Sequence, residues 1–257
     1  MTHIAHLSDR AVLRIAGADA RDFLQGLLTN DVTQPLPLWA GLLSAQGKYL
    51  FDMILHDGGE GVMLADVAAD RASDLANRLT MYKLRRAVTI EAADLKVFAA
   101  WDGESDAPWD PRLPGLGRRW IAESADTTAT LEDYESHRLA LGVPDSADFE
   151  IDKTMWLETN AVELNGVSFT KGCYVGQENT ARMHHRDKLR KRLLPVLLSD
   201  DPGEETAILT GDREAGTLRT WRNGRGIALL RVEMLEALTL AGAPLTPEWP
   251  SWLGEQP

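Results

Sequence analysis

Tight turns place the strongest constraint on this chain. Glycine and proline recur so closely that most apolar segments have room only to be short strands. Residues 12–15, 39–43, 49–55, 62–67, 88–90 and 95–101 are segments of this kind. Gln46-Gly47 is placed to turn a hairpin between the second and third, and Gly58-Gly59-Glu60-Gly61 makes another tight turn. Helical spacing occurs in few places. After Asp19, a candidate N-cap, Phe23, Leu24, Leu27 and Leu28 form one apolar stripe. Leu75, Leu79 and Tyr82 form a second within residues 70–84, and residues 132–141 form a third helix stopped by Gly142, with Pro144 beyond it. Residues 102–117, rich in turn formers, are expected to be an exposed excursion. Beyond them, residues 193–198, 206–209, 216–221 and 226–232 alternate with turns as in a small antiparallel sheet or barrel. The pattern as a whole predicts an α+β protein.

The 257 residues are 44% hydrophobic and 26% charged, which excludes disorder as the dominant state. A net charge of −12 argues against general binding to nucleic acid or to an anionic membrane. Cys173 is the single cysteine, so the chain can form neither an internal disulfide nor a four-thiolate metal site of its own. A reducing compartment is expected. No basic segment followed by an apolar run opens the sequence, and no stretch approaches 18 uninterrupted apolar residues. The expectation is a cytoplasmic protein without a membrane span.

Lys171-Gly172-Cys173-Tyr174-Val175-Gly176-Gln177-Glu178 stands apart from the rest. It sets the lone thiol among a cation, two glycines, an amide and a carboxylate. A lone cysteine is more often a small buried hydrophobe, but a polar setting with a nearby cation favours a thiolate. Gly176 would let the backbone turn into a helix near Gln177. Between residues 182 and 192, Arg182, Arg186, Lys188, Arg190, Lys191 and Arg192 stand against one acid, Asp187. Such a run is either a solvated face or an anion site. His184-His185 diverge on any regular element and match no metal-ligand spacing, so no metal site is expected. Asp52, in the second strand of the hairpin, is a candidate catalytic carboxylate.

The Cys173 segment resembles the signature of the YgfZ family of folate-binding iron–sulfur maintenance proteins, which is related to the glycine cleavage T-protein, an aminomethyltransferase. Asn165-Gly166-Val167-Ser168-Phe169-Thr170 before it, and Thr180-Ala181-Arg182-Met183-His184-His185 and Arg190-Lys191-Arg192-Leu193-Leu194-Pro195-Val196 after it, are similar to the family's mitochondrial branch, which acts late in [4Fe–4S] protein maturation. Residues 23–32, Tyr82-Lys83-Leu84-Arg85, His137-Arg138 and Gly142-Val143-Pro144 fit as well.

The resemblance implies two interleaved α+β units with antiparallel sheets around a central opening (residues 1–190), followed by a C-terminal β-barrel (residues 191–257). It implies tetrahydrofolate in the opening, with Tyr174, Gly176, Gln177, Glu178 and Arg182 near it. The T-protein's pterin carboxylate has no counterpart in Arg138-Leu139-Ala140-Leu141, and Glu158 stands in for it. The T-protein's paired aspartates are reduced to Phe51-Asp52. The function implied is that of a non-enzymatic accessory protein in iron–sulfur cluster assembly or repair. It would act on assembly or client proteins through Cys173, with Lys171 favouring the thiolate. The alternatives are a tetrahydrofolate-dependent aminomethyltransferase with Asp52 as base, and a tRNA-contacting modification accessory protein using residues 182–192.

Overall fold

A computed structural model describes residues 2–186 and 189–255. Strand β1 (His3–His6) and strand β2 (Arg10–Ala16) separate at once into different sheets. Helix α1 (Ala20–Gln25) follows, then strands β3 (Leu38–Leu43), β4 (Tyr49–Asp57) and β5 (Met63–Ala68), helix α2 (Ala72–Lys83) and strand β6 (Thr89–Ala93). Together they form a five-stranded antiparallel sheet of order β3-β4-β5-β2-β6. Strands β7 (Lys96–Trp101) and β8 (Arg118–Ala122) return to β1 as a three-stranded sheet. This crossing of the first strands interleaves the two α+β units, as the resemblance implies.

Helix α3 (Leu131–Leu141) begins with a capping box between Thr130 and Asp133 and stops at Gly142, whose φ of +68° suits a glycine. A Cβ at that position would come within 2.6 Å of Pro195, so the same glycine lets the end of α3 press against the barrel. After helix α4 (Gln177–Arg186) come strands β9 (Lys191–Leu198), β10 (Ala207–Thr210), β11 (Arg213–Arg222), β12 (Arg225–Arg231), β13 (Leu238–Leu240) and β14 (Ala243–Pro247). They close into a six-stranded barrel of order β10-β11-β12-β9-β14-β13. Leu194, Val196, Ile208, Ala228 and Leu230 fill its interior.

Four local expectations are corrected. Helix α1 ends at Gly26, so Leu27 and Leu28 lie beyond it. Asp19 makes no side-chain cap and accepts the Ala87 amide at 2.7 Å instead. On α2, Leu75 and Leu79 are buried, but Tyr82, one helical turn on, is exposed. The segment 102–117 is an exposed excursion only as far as Trp109; beyond it Asp110, Arg112 and Leu116 are buried.

The reason lies in an ion-pair network that joins the layers. Asp66 of β5 accepts Arg10 Nε and Arg119 Nε, each at 2.6 Å, tying β2 to β8 across the two sheets. Arg112 pairs with Asp110 at 2.8 Å and with Asp145 at 3.0 Å, and Arg10 reaches Asp145 at 3.2 Å. The Tyr134 hydroxyl accepts from both Arg112 and Arg119 at 3.2 Å. Burial alone would raise the Asp66 carboxyl, but Arg10 and Arg119 outweigh it and hold the group at about 2. Burial opposes ionisation of Asp145 too, and Arg112, Arg10 and Arg138 overcome it, keeping that carboxyl well below the usual range.

Candidate functional site

The Cys173 loop is fixed at three points and free between them. Lys171 is 8% exposed, and its ammonium donates to the carbonyls of Gln25 (2.7 Å), Leu28 (2.5 Å) and Asn30 (2.9 Å). Those carbonyls belong to the end of α1 and the turn after it, where the helix leaves its last acceptors unpaired. Burial pulls the Lys171 ammonium down to about 8, with the charge of Asp31 opposing the shift. The Nζ also sits 5.1 Å from the centre of the Tyr174 ring. Tyr174 is the second anchor, buried in the central core with Trp39, Tyr49 and Trp156. Burial raises its phenol to about 12.

Gly176 is the third anchor. Its φ is +86°, and a Cβ there would lie 2.5 Å from the Ser44 carbonyl oxygen in the hairpin turn between β3 and β4. Asn179 reinforces this contact by donating to the Gln46 carbonyl at 2.7 Å. Helix α4 starts at Gln177, directly after the glycine. Between the anchors, Gly172 and Cys173 are exposed, and nothing stands within 4 Å of a Cβ built on Gly172. The thiol is therefore presented to solvent on a short, rigidly tethered turn.

This geometry revises the reading of Lys171 as activator of the thiol. An ammonium has three N–H donors, and all three are spent on backbone carbonyls. Glu178 and Arg182 are exposed on α4, and Gln177 is half-buried.

A second site lies at the junction of the five-stranded sheet, α3 and the loop after Gly142. It is a cleft of about 570 Å³ whose walls include Arg10, Tyr49, Tyr134, Asp145, Ser146 and Phe149. Asp9 and Asp70 also line it, and burial together with the nearby Asp145 raises the Asp9 carboxyl. Asp52 lies behind this wall, 5% exposed, and accepts from Trp39 Nε1 at 3.0 Å, Tyr49 at 3.1 Å and Ser146 at 2.8 Å. It orients two cleft side chains and is shielded by them, which is not the setting of an accessible general base.

The structure does not bring Glu158, Tyr174, Gly176, Gln177, Glu178 or Arg182 to the cleft. Glu158 instead accepts the Met155 amide at 3.0 Å in the turn it belongs to, and burial raises its carboxyl. The basic run is divided. Arg192, on β9, pairs with Glu163 at 2.9 Å and donates to Asn160 at 3.0 Å. Asp187 and Lys188 lie outside the described residues. His184 stacks on Phe169 at 3.9 Å, and no cluster of three or more metal-ligating side chains occurs among the described residues. Sequence reasoning missed Arg10, Tyr134, Asp145 and Ser146, which bound the cleft. Their arginine partners, or for Arg10 its Asp145 and Ser146 partners, lie 15 to 136 residues away, so no local pattern marks them.

Comparisons with known proteins agree with this architecture. Residues 190–255 match the family model described as the CAF17 C-terminal beta-barrel domain. Iron-sulfur cluster assembly factor IBA57, mitochondrial, of Homo sapiens is 32% identical over 95% of this chain and 84% of its own length. The factor of the same name from Mus musculus is 31% identical with the same coverage. Among solved structures, the glycine cleavage system aminomethyltransferase T of Bartonella henselae superposes with a TM-score of 0.72, covering 98% of this chain and 86% of that one at 13% identity. That likeness establishes the T-protein fold. The expectation of a cytoplasmic protein is corrected by the same relatives, which are mitochondrial by name and point away from the cytoplasm. A lone cysteine indicates a reducing environment without distinguishing one reducing compartment from another. With identity above 30% across nearly its whole length, the chain belongs to the family of the IBA57 iron–sulfur cluster assembly factors.

Proposed function

We propose that this protein is an accessory factor in iron–sulfur cluster assembly that acts through the exposed thiol of Cys173. The observation that carries this reading is the construction of the loop: Lys171, Tyr174 and Gly176 are spent on anchoring it, and the residue left in solvent is the thiol. A single thiolate falls short of the usual four cluster ligands, so the remaining ligands come from an assembly or client protein. The test is Cys173→Ala in cells that lack the native protein, scored by the activity of a [4Fe–4S] reporter enzyme. Reporter activity is expected to fall to the level of the empty strain. The melting temperature should stay within about 2 °C, since surface substitutions usually change stability by less than ~0.5 kcal/mol. Full reporter activity with Cys173→Ala would sink the thiol's role.

The central cleft is assigned to tetrahydrofolate. Its volume suits a ligand of that class, Tyr49 and Phe149 offer aromatic surface, and Asp9 and Asp70 would accept from the amino and ring N–H groups of the pterin. Bound there, the folate would supply a one-carbon carrier or a reduced pterin. Calorimetry under argon is expected to give saturable binding that weakens at least tenfold in the Asp9→Asn, Asp70→Asn double variant. Equal affinity in that variant would remove the assignment of the two carboxylates. The burial of Asp52 under three donors favours the accessory role over aminomethyl transfer.

A further inference from the structure

Where α2 ends, the chain turns apolar side chains outward. Met81 is 65% exposed and Leu84 84% exposed, with Tyr82 between them at 40%. With Leu27 and Val175 they line a shallow, mostly apolar groove of about 290 Å³. Leu84 also holds a φ of +50°, a conformation that costs a bulky residue energy and recurs at ligand clamps and other functional sites. Neither feature serves the core, because Leu75 and Leu79 already bury the inner face of α2.

Two observations define the occupant. The first is charge: Arg78, Lys83, Arg85 and Arg86 surround the apolar residues, and no Asp or Glu occurs between Asp74 and Glu91, in a chain of net charge −12. Arg85 and Arg86 are exposed and pair with no carboxylate among the described residues. The second is continuity: Val175, one wall of the groove, stands two residues beyond the exposed Cys173. A second copy of this chain is a poor occupant, since a two-fold interface would set the basic rim against itself. The few apolar side chains are also far short of the roughly 20–30 residues per side of a standard stable interface, which suits a transient partner.

We propose that this groove is the docking surface for an acidic protein bearing cysteine thiolates, which it seats with those thiolates against Cys173. The proposal rests on the thiol reading above and names the chemistry of its partner. Carboxylates of the partner meet Arg85 and Arg86, an apolar side chain of the partner enters beside Leu84, and the anionic thiolates or cluster lie next to the loop.

Two kinds of variant test it. Leu84→Asp, and separately Arg85→Glu with Arg86→Glu, are made in the full chain and scored in the same reporter strain. Each is expected to lower reporter activity at least tenfold. The rate of Cys173 alkylation by iodoacetamide should stay within twofold of wild type, and the melting temperature should not fall. In parallel, p-benzoylphenylalanine is placed at Tyr82 and, as a control on the barrel, at Trp221. Photolysis in cells should cross-link position 82, but not 221, to a protein that is net acidic and contains at least two cysteines. Wild-type reporter activity in both variants would overturn the proposal. So would cross-links only to a second copy of the chain, or only to nuclease-sensitive material. Loss of the thiol reading is separable: Cys173→Ala would then retain activity, and the site-specific cross-link alone would decide the docking surface.

Discussion

Asp66→Asn is expected to destabilise the protein by about 3–5 kcal/mol, the usual cost of removing one partner from a buried ion pair. The carboxylate receives Arg10 and Arg119 at 2.6 Å each, and all three groups are almost fully withdrawn from water. An amide keeps one acceptor, turns an N–H donor towards a guanidinium, and leaves two buried cations short of their counter-charge. At about 2–4 °C per kcal/mol for a chain of this size, the melting temperature should fall by roughly 10 °C. The pH dependence supplies a second readout. The folded-state value of about 2 lies below the ordinary carboxylate value. The stability contributed by Asp66 is therefore fully present above pH ~4 and is lost as pH falls from ~4 towards 2, a decline of about 2 kcal/mol. In Asp66→Asn that part of the acid limb should disappear. A loss below ~1 kcal/mol with an unchanged acid limb would show that the network is not what holds the two sheets together.

The network also explains which parts of the fold were legible in the sequence. Strands such as β4 and β12 announce themselves through their length and bounding turns, and α3 through Gly142, because those signals act between near neighbours. The third and fourth strands were read as a hairpin around Gln46-Gly47, and the structure has that hairpin. Residues 102–109 are mostly exposed as expected, but Asp110, Arg112 and Leu116 are not, because turn formers indicate a loop without saying where its charges go. Asp110 and Arg112 point inward, answered by Asp145 and Tyr134 far along the chain. Tyr82 was misread for the opposite reason. Helical spacing puts it on the stripe of Leu75 and Leu79, but the stripe runs past the edge of the core, and its last members face solvent.

The candidate site was legible in a different way. The residues of the Cys173 segment drew attention by composition and by resemblance, yet neither could separate those that act from those that hold. Only the partners do so. Lys171 is adjacent in sequence to the reactive turn, so proximity suggested an electrostatic role on the thiol. Its side chain reaches 141–146 residues back along the chain to the end of α1. The cleft was legible only as an implied opening, because Arg10, Tyr49, Tyr134 and Ser146 converge from separate elements.

Lys171→Met separates holding from acting. The substitution keeps the length of the side chain and removes the ammonium, leaving the carbonyls of Gln25, Leu28 and Asn30 without their shared donor. Leaving a buried polar group unpaired costs ~1–3 kcal/mol, more when a charged partner is lost, so the expected destabilisation is about 3 kcal/mol. If Lys171 is an anchor, the variant melts lower, supports the [4Fe–4S] reporter poorly, and alkylates at Cys173 as fast as wild type at the same pH. If Lys171 instead stabilised the thiolate, the melting temperature would hold and alkylation would slow, because a neighbouring cation favours the reactive thiolate. The first outcome follows from the geometry, since a cation whose N–H donors are all committed to one helix end has none left for a sulfur two residues away. The exposure of Cys173 is then a consequence of how its neighbours are spent: the loop is rigid where it touches α1, the core and the hairpin, and open where it must meet another protein.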